Sequence, residues 1–247
     1  MSSTGDPAVR VAGNNFEQYF EIVPALSAAL KDEVFKIRHQ VFCEDLGFEP
    51  ARVDRRESDA FDGQSLHLLI RSVHNRDFVG CTRIIRVRMH DPQPAMPFEQ
   101  VCAGVIDLAI VDPGSLPRDS VGEISRLSVV ARYRRRKGEA KQPVPLADNA
   151  FAELPRPRFP YLLVGLYLGT IELARVHGIE TLFVLTEPRL ASHLGRIGVD
   201  ITAIGEPIEH HGTRLPSMMN TRTILDNLKP LFRPLYLTVA REIAAGL

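Results

Sequence analysis

The sequence predicts a mixed α/β fold, a central sheet with helices packed against it. Three observations carry that expectation. Leu30, Val34, Ile37 and Val41 recur within Ala28–Phe42 at the three- and four-residue spacing of one helical face. Several short apolar runs bounded by turn residues have the length and composition of strands. Between two of those runs lies a long apolar segment, Tyr161–His177, that ends at Gly178, a natural helix stop.

In chain order, residues 1–15 show no apolar period and read as a flexible tail, leaving 16–247 as one domain. The segment FEQYFEIVPALS opens strand-like at Phe16, and Ser27 can cap the helix Ala28–Phe42. Arg38 and Phe42, four apart, share a face of that helix. Leu66–Val73 and Phe78–Met89 read as strands joined by a hairpin turn, His74-Asn75-Arg76-Asp77. Residues 90–117 form an irregular insertion with Pro92, Pro94, Pro97, Pro113 and Pro117, and one short strand is expected at Val105–Ile110. Gly122–Val130 is a strand that runs straight into the basic turn ARYRRRKGE. A second Pro-rich insertion, 139–160, precedes the helix Tyr161–His177, whose Gly165-x-x-x-Gly169 reads as a close-packing face. Thr181–Leu185 is then a short buried strand, and Glu187–Arg196 a helix stopped by Gly198. Two late strands and a final helix over Leu231–Ala245 complete the chain.

With 247 residues, 45% hydrophobic and 24% charged, the composition is that of a globular protein and excludes disordered, collagenous and disulfide-framework classes. The 30 Lys+Arg balance the 30 Asp+Glu, so no whole-surface cationic field exists to bind nucleic acid or a membrane. Cys43, Cys81 and Cys102 are odd in number and lack CxxC spacing, which reads as free thiols in a reducing cytoplasm. The N-terminus lacks the basic segment and apolar core of a signal peptide. The most apolar stretch, Phe159–Ile171, is shorter than the ~20 residues that span a bilayer. No GxSxG elbow, Walker loop, GxGxxG or HExxH is present.

Chemistry-bearing residues gather in three places. In Glu123-Ile124-Ser125-Arg126-Leu127-Ser128-Val129, strand alternation would put Glu123, Ser125 and Leu127 on one face and Ile124, Arg126 and Ser128 on the other. That strand leads into Arg132, Arg134, Arg135, Arg136, Lys137 and Gly138, either an anion site or a solvated loop, the strand before and the apolar helix after it favouring the anion site. Asp59 and Asp62 are spaced so that one turn brings both carboxylates together. Arg83, in a β-branched strand, is costly to bury without such carboxylates as partners. His210 and His211 are adjacent and would face apart on a strand, so they read as a solvated pair; no metal site is expected.

Arg38-x-x-x-Phe42, Phe48, Asp59-x-x-Asp62, Arg83 and Glu123-x-Ser125-Arg126 together resemble, in residue type and order, the autoinducer synthases that make acyl-homoserine lactones. They also resemble the long-chain N-acyl amino acid synthases; both groups belong to the GNAT superfamily. IRHQVFCEDLGFEP with EISRLSVVARYRRR is most similar to acyltransferases associated with PEP-CTERM/exosortase systems, and GEPIEHHGTRLPSM is similar to their acyl-side segment. The resemblance covers roughly residues 16–225. Autoinducer synthases usually carry Trp where this chain has Phe48, and this chain has extra Pro-rich residues between Arg83 and Glu123.

The resemblance implies a GNAT fold, a mixed central sheet in which Ile124–Val129 splays from its neighbour and admits an acyl-pantetheine arm. It implies an N-acyltransferase that moves a medium or long fatty acyl group from an acyl carrier protein thioester to the amine of an amino acid or similar small acceptor. Catalysis would fall to Glu123 as base with Ser125 and Arg126. Acceptor binding would fall to Arg38, Phe42, Phe48, Asp59, Asp62 and Arg83. The donor would lie on Leu127, Val129, Arg134, Arg135, Arg136, Lys137 and Gly138. The turn has a single Gly138 where a CoA pyrophosphate loop often has two, which favours a carrier protein over acyl-CoA, with no tightly bound cofactor. An S-adenosylmethionine-dependent lactone synthase, a CoA-dependent acetyltransferase and a non-catalytic acyl-binding protein are the alternatives. The Leu162–Leu168 segment is expected to be core rather than the lining of an acyl tunnel.

Overall fold

The computed structural model describes residues 16–87, 95–134 and 160–247. One turn of helix, α1 (Phe16–Tyr19), leads into β1 (Phe20–Pro24). Helix α2 (Ala28–Arg38) starts where the Ser27 side chain accepts the Leu30 N–H. Its axis does not stop at Phe42 as the periodicity suggested, but widens into a π-helical segment, His39–Asp45, closed by Leu46 N–H to Val41 O at 3.1 Å. Strands β2 (Ser65–Ser72) and β3 (Phe78–Arg86) form the expected hairpin. After a short helix α3 (Pro97–Val101), β4 (Val121–Val129) runs into α4 (Ala131–Arg134). Then come α5 (Pro160–Val176), β5 (Thr181–Thr186), α6 (Pro188–Gly195), β6 (Thr202–Ala203), β7 (Ile208–Glu209), β8 (Thr213–Asn220), α7 (Thr221–Asn227) and α8 (Arg233–Gly246).

The strands form one sheet in the order β1-β2-β3-β4-β5-β8-β6, with β7 also pairing β8. Every pairing is antiparallel except β4 with β5, and α5 lies in the connection between those two, as a parallel pair requires. Helix α2 packs on the face of the sheet that carries Arg83, and α5 on the opposite face that carries Leu68. The expected strand at Val105–Ile110 does not form. That segment turns on itself, and only Ile106 bridges Gly205, because α3 and the turns after it pack Phe98, Cys102 and Val105 around Phe183 instead.

Helix α5 is core, as expected, except that Tyr167 also borders a cavity: Leu162, Leu166, Leu168 and Ile171 are wholly buried, with Gly178 in the left-handed region at φ +74° ending the helix. Its two glycines are contact points. A Cβ at Gly169 would sit 2.8 Å from Leu68 Cδ2 of β2, and one at Gly165 would strike the Phe16 ring. Among the described residues no helix is long and apolar enough to cross a membrane.

Gly169→Val should therefore destabilise the fold by about 1–3 kcal/mol through overpacking, although valine is the better helix former. Chemical denaturation measures it; a variant as stable as the parent would show that the α5–β2 contact is looser than described.

Candidate active site

The site begins at a break in the sheet. Strands β4 and β5 pair from Val121 with Thr181 to Ile124 with Val184, after which β4 continues to Val129 and β5 to Thr186 without further pairing. A cavity of about 400 Å³ occupies the opening. Ser125, Arg126 and Leu127 line it from β4, Val184 and Leu185 from β5, and Tyr167 from α5.

Strand β4 departs from plain alternation here. Cys81 pairs with Ser128 but Arg83 with Ser125, so β4 carries one extra residue, and Arg126 takes φ +54°. The bulge turns Arg126 toward the α2 face, where its guanidinium lies over the Phe42 ring at 5.5 Å. The expectation that Arg126 faces away from Glu123 and Ser125 is thus corrected, for the physical reason that a bulge resets the two-residue period.

Beneath this wall lies a buried ion network. Arg38, wholly inaccessible, donates through Nε to Glu57 and through Nη1 to Asp62 Oδ1 at 2.5 Å. Arg83 binds Asp59 through both terminal nitrogens at 2.7 Å, reaches Asp62 at 2.7 Å, and donates Nε–H to Ser125 Oγ at 2.9 Å. Arg126 contacts Glu49 and Glu57 at 3.2 Å and Asp59 at 3.6 Å. Asp59 and Asp62 are brought together as their spacing suggested: Asp62 Oδ2 accepts the Asp59 N–H, and Asp59 Oδ1 accepts that of Phe61. Burial alone would raise these acids, but the guanidiniums outweigh it. Arg83 pulls Asp59 down to about 2, and Arg38 holds Asp62 and Glu57 below the usual range.

Glu123 is different. Nine-tenths enclosed, it accepts the Phe98 N–H at 2.7 Å and meets neither arginine directly; burial pushes it up to about 7, against the weaker pull of that N–H and of Arg83 and Arg126. The first Pro-rich insertion thus has a local purpose: Pro97 and Phe98 line the cavity and hold Glu123 in place.

Of the other residues expected at the site, Phe42, Phe48, Asp59, Arg83 and Leu127 line the cavity, while Arg38 and Asp62 lie beneath it. Val129 is wholly buried in the main core and does not reach the cavity. The side chain of Arg134, and Arg135, Arg136, Lys137 and Gly138, lie outside the described residues, as do residues 1–15 and 139–159.

Several residues in or beneath the cavity were not anticipated. Glu57 lay within the acidic run Glu57–Asp62, and only its burial shows that it is the acid joining Arg38 to Arg126. Glu49 follows Phe48 into the cavity because the Phe42 carbonyl accepts both their N–H groups. His210, His211, Arg214 and Glu187 also line the cavity. The histidines do not face apart: they occupy a tight turn, His211 at φ +52° and Gly212 at φ +99°, and their rings meet edge to face at 5.1 Å. Their positions follow from the β7–β8 turn, which local alternation does not reveal. Glu187, His211 and Arg214 also border a second, more open cleft of about 480 Å³. Among the described residues no group of three or more His, Cys, Asp or Glu is placed to hold a metal ion.

Arg38→Ala should cost about 3–5 kcal/mol at pH 7, since it strands Glu57 and Asp62 in the interior. The deficit should shrink below about pH 4, where the stranded acids take up protons. Urea denaturation at both pH values measures this; a loss under 1 kcal/mol at pH 7 would make the network incidental to folding.

Residues 37–141 match the acetyltransferase (GNAT) domain model. No curated protein matches the chain significantly in sequence. Among solved structures, BjaI, a CoA-dependent acyl-homoserine lactone synthase solved with MTA, is 20% identical, with a TM-score of 0.58 over 92% of this chain and 99% of its own. The AHL synthase LasI is 17% identical, with a TM-score of 0.55 over 85% and 95%. FeeM, an N-acyl amino acid synthase from uncultured soil microbes, is 10% identical, with a TM-score of 0.53 over 85% and 94%. A sheet that opens between its parallel strands and these shared architectures agree: residues 37–141 resemble a GNAT acetyltransferase domain, and the chain has the fold of these solved synthases.

Proposed function

We propose that the protein transfers a medium or long fatty acyl group from a carrier-protein thioester to the amine of an amino acid. The observation that carries this reading is Glu123, a buried carboxyl poised near neutrality and lining the cavity in the β4–β5 opening. The acyl thioester would enter between the diverging strands, against Leu127, Val184 and Leu185. From Ser125 onward the edge of β4 facing β5 is unpaired, which leaves backbone N–H groups to stabilise a developing oxyanion.

In the step proposed, Glu123 takes a proton from the acceptor ammonium. The amine nitrogen then bonds to the thioester carbon to give a zwitterionic tetrahedral intermediate; as this collapses and the C–S bond breaks, the nitrogen gives up its second proton to the leaving thiolate, and Glu123 returns the first to solvent. Arg38, Arg83 and Arg126 are occupied by acids, so their part would be to set the positions of Asp59 and Ser125 rather than to bind a free anion. The basic run Arg132–Lys137 would dock an acidic carrier protein; Arg132 itself pairs with Asp77 at 2.8 Å on the surface. Cys43, Cys81 and Cys102 are free and buried, which supports a reducing compartment such as the cytoplasm.

Glu123→Gln should abolish transfer while keeping the fold. Mass spectrometry of lipid extracts from cells expressing parent or variant tests this: N-acyl amino acids should form with the parent alone, whereas a lactone product would favour the S-adenosylmethionine alternative. The pH dependence has two signs. Activity of the parent should fall as pH drops through about 7, as Glu123 becomes protonated. Because its folded pKa is raised, ionising Glu123 costs stability as pH rises from about 4.5 to 7, so Glu123→Gln should gain up to about 3 kcal/mol on the parent over that interval. A stability difference independent of pH would remove Glu123 from the role of buried acid.

Replacing Arg135, Arg136 and Lys137 with Ala should lower kcat/KM for an acyl carrier protein donor about tenfold, most strongly at low salt. An equal effect on acyl-CoA and acyl carrier protein would point to shared phosphate binding, and no effect to a solvated loop.

A further inference from the structure

The cavity lining combines two chemistries. Glu49, Asp59 and Glu123 are carboxylates from the α2–β2 loop and β4, suited to attract an ammonium group. The β7–β8 turn brings His210 and His211 side by side to the same cavity. That turn is held from several directions. His210 N–H donates to Gly212 O at 3.0 Å, Gly212 N–H donates to Glu209 Oε1 at 2.8 Å, and Arg214 donates to His211 O at 3.0 Å while pairing with Glu187 at 2.7 Å. The His211 ring stacks on Phe48 at 4.5 Å and 17°, so the turn closes against the loop that carries Phe48 and Glu49.

Every cavity arginine is already engaged: Arg83 and Arg126 in the buried network and Arg214 with Glu187. The ring nitrogens of His210 and His211 have no hydrogen-bond partner among the described residues. Burial first, and then His211, Arg214 and Arg126, hold the His210 pKa below that of an ordinary histidine, against the opposing charge of Glu49. The two guanidiniums also favour an anion beside the ring.

We infer that His210 and His211 form a carboxylate-binding subsite that receives the acid group of the acceptor, so that the acceptor class is an amino acid with a free carboxylate. The inference rests on the amino acid acyltransferase reading and adds the wall that recognises the acid. An α-amino acid would then be held at both ends, its ammonium toward the acids and its carboxylate toward the imidazoles. Acylation removes the ammonium charge but leaves the carboxylate, so the subsite would bind product as well as substrate.

The product pair N-decanoylglycine and N-decanoylglycinamide, which differ only in the carboxylate, provides a direct probe. Calorimetry on the full chain should show the acid bound at least tenfold more tightly than the amide. In the double variant His210→Ala, His211→Ala, the two affinities should come within about threefold of each other, with that for the amide unchanged. Both side chains are exposed, so the variant should keep the parent's circular dichroism; His210→Gln, His211→Gln preserves side-chain bulk and serves if it does not. Equal binding of acid and amide by the parent, or a preference that survives both double variants, overturns the subsite. The transfer assay is read separately. Amino acid acylation without a carboxylate preference in binding refutes the subsite and leaves the activity standing, whereas a preference without acylation refutes the activity and leaves the subsite standing.

Discussion

The wholly buried guanidinium of Arg38 is the constraint around which the site is arranged. A charge so placed must be matched at close range, and the match comes from Glu57 and Asp62, both in the loop between α2 and β2. That loop has little regular structure of its own. Pinned to Arg38, and through Asp59 and Asp62 to Arg83 of β3, it is held against the sheet and presents Phe48, Glu49 and Asp59 to the cavity. Arg126 joins the same acids from β4, so one network ties a helix, a loop and two strands together. A hydrophobic cluster of equal volume could be as stable, but it would not fix the direction of each polar group.

Two irregularities then turn a sheet into a site. The parallel pairing of β4 and β5 ends at Ile124 and Val184, which opens the sheet without leaving it ragged, because β5 still pairs with β8 through Thr186 and Leu215. The bulge at Arg126 rotates β4 just past that point and brings Arg126 onto the face of Ser125. The π-helical widening at His39–Asp45 works alongside it, turning Phe42 toward the cavity and the chain back on itself at Phe48. Departures from ideal geometry gather where chemistry is placed.

The site also separates two kinds of carboxylate. Asp59, Asp62 and Glu57 lie within reach of guanidiniums and stay ionised, whereas burial raises Glu123, which has only a backbone N–H and more distant arginines to oppose it, to near neutrality. Burial acts on all four acids, and direct contact with a guanidinium decides which of them stays ionised. The zero net charge of the chain conceals this local arrangement of acids, paired arginines and a histidine pair.

Much of this was legible in local sequence. Apolar period located α2, β2, β3, β4, α5 and β5, since burial of one face dictates spacing, and Gly178 marked the end of α5 because a left-handed residue closes a helix there. The three-residue spacing of Asp59 and Asp62, and an arginine in a β-branched strand, foretold that acids and Arg83 would meet. What local pattern could not reveal depends on partners far along the chain. The bulge that turns Arg126 exists only in register with β3, the missing strand at Val105–Ile110 was displaced by packing on Phe183, and Glu123 is held by the N–H of Phe98, 25 residues away. His210 and His211 were expected to face apart because alternation assumes a strand; they are exposed, as a solvated pair would be, but the β7–β8 turn brings their rings together, and only the folded sheet carries that turn to the cavity that Glu123 also lines. Sequence thus determined which elements form and which charges must pair, since periodicity and the cost of burying charge act locally, while tertiary structure alone decided which groups face the cavity, since that depends on strand register and on contacts between distant segments.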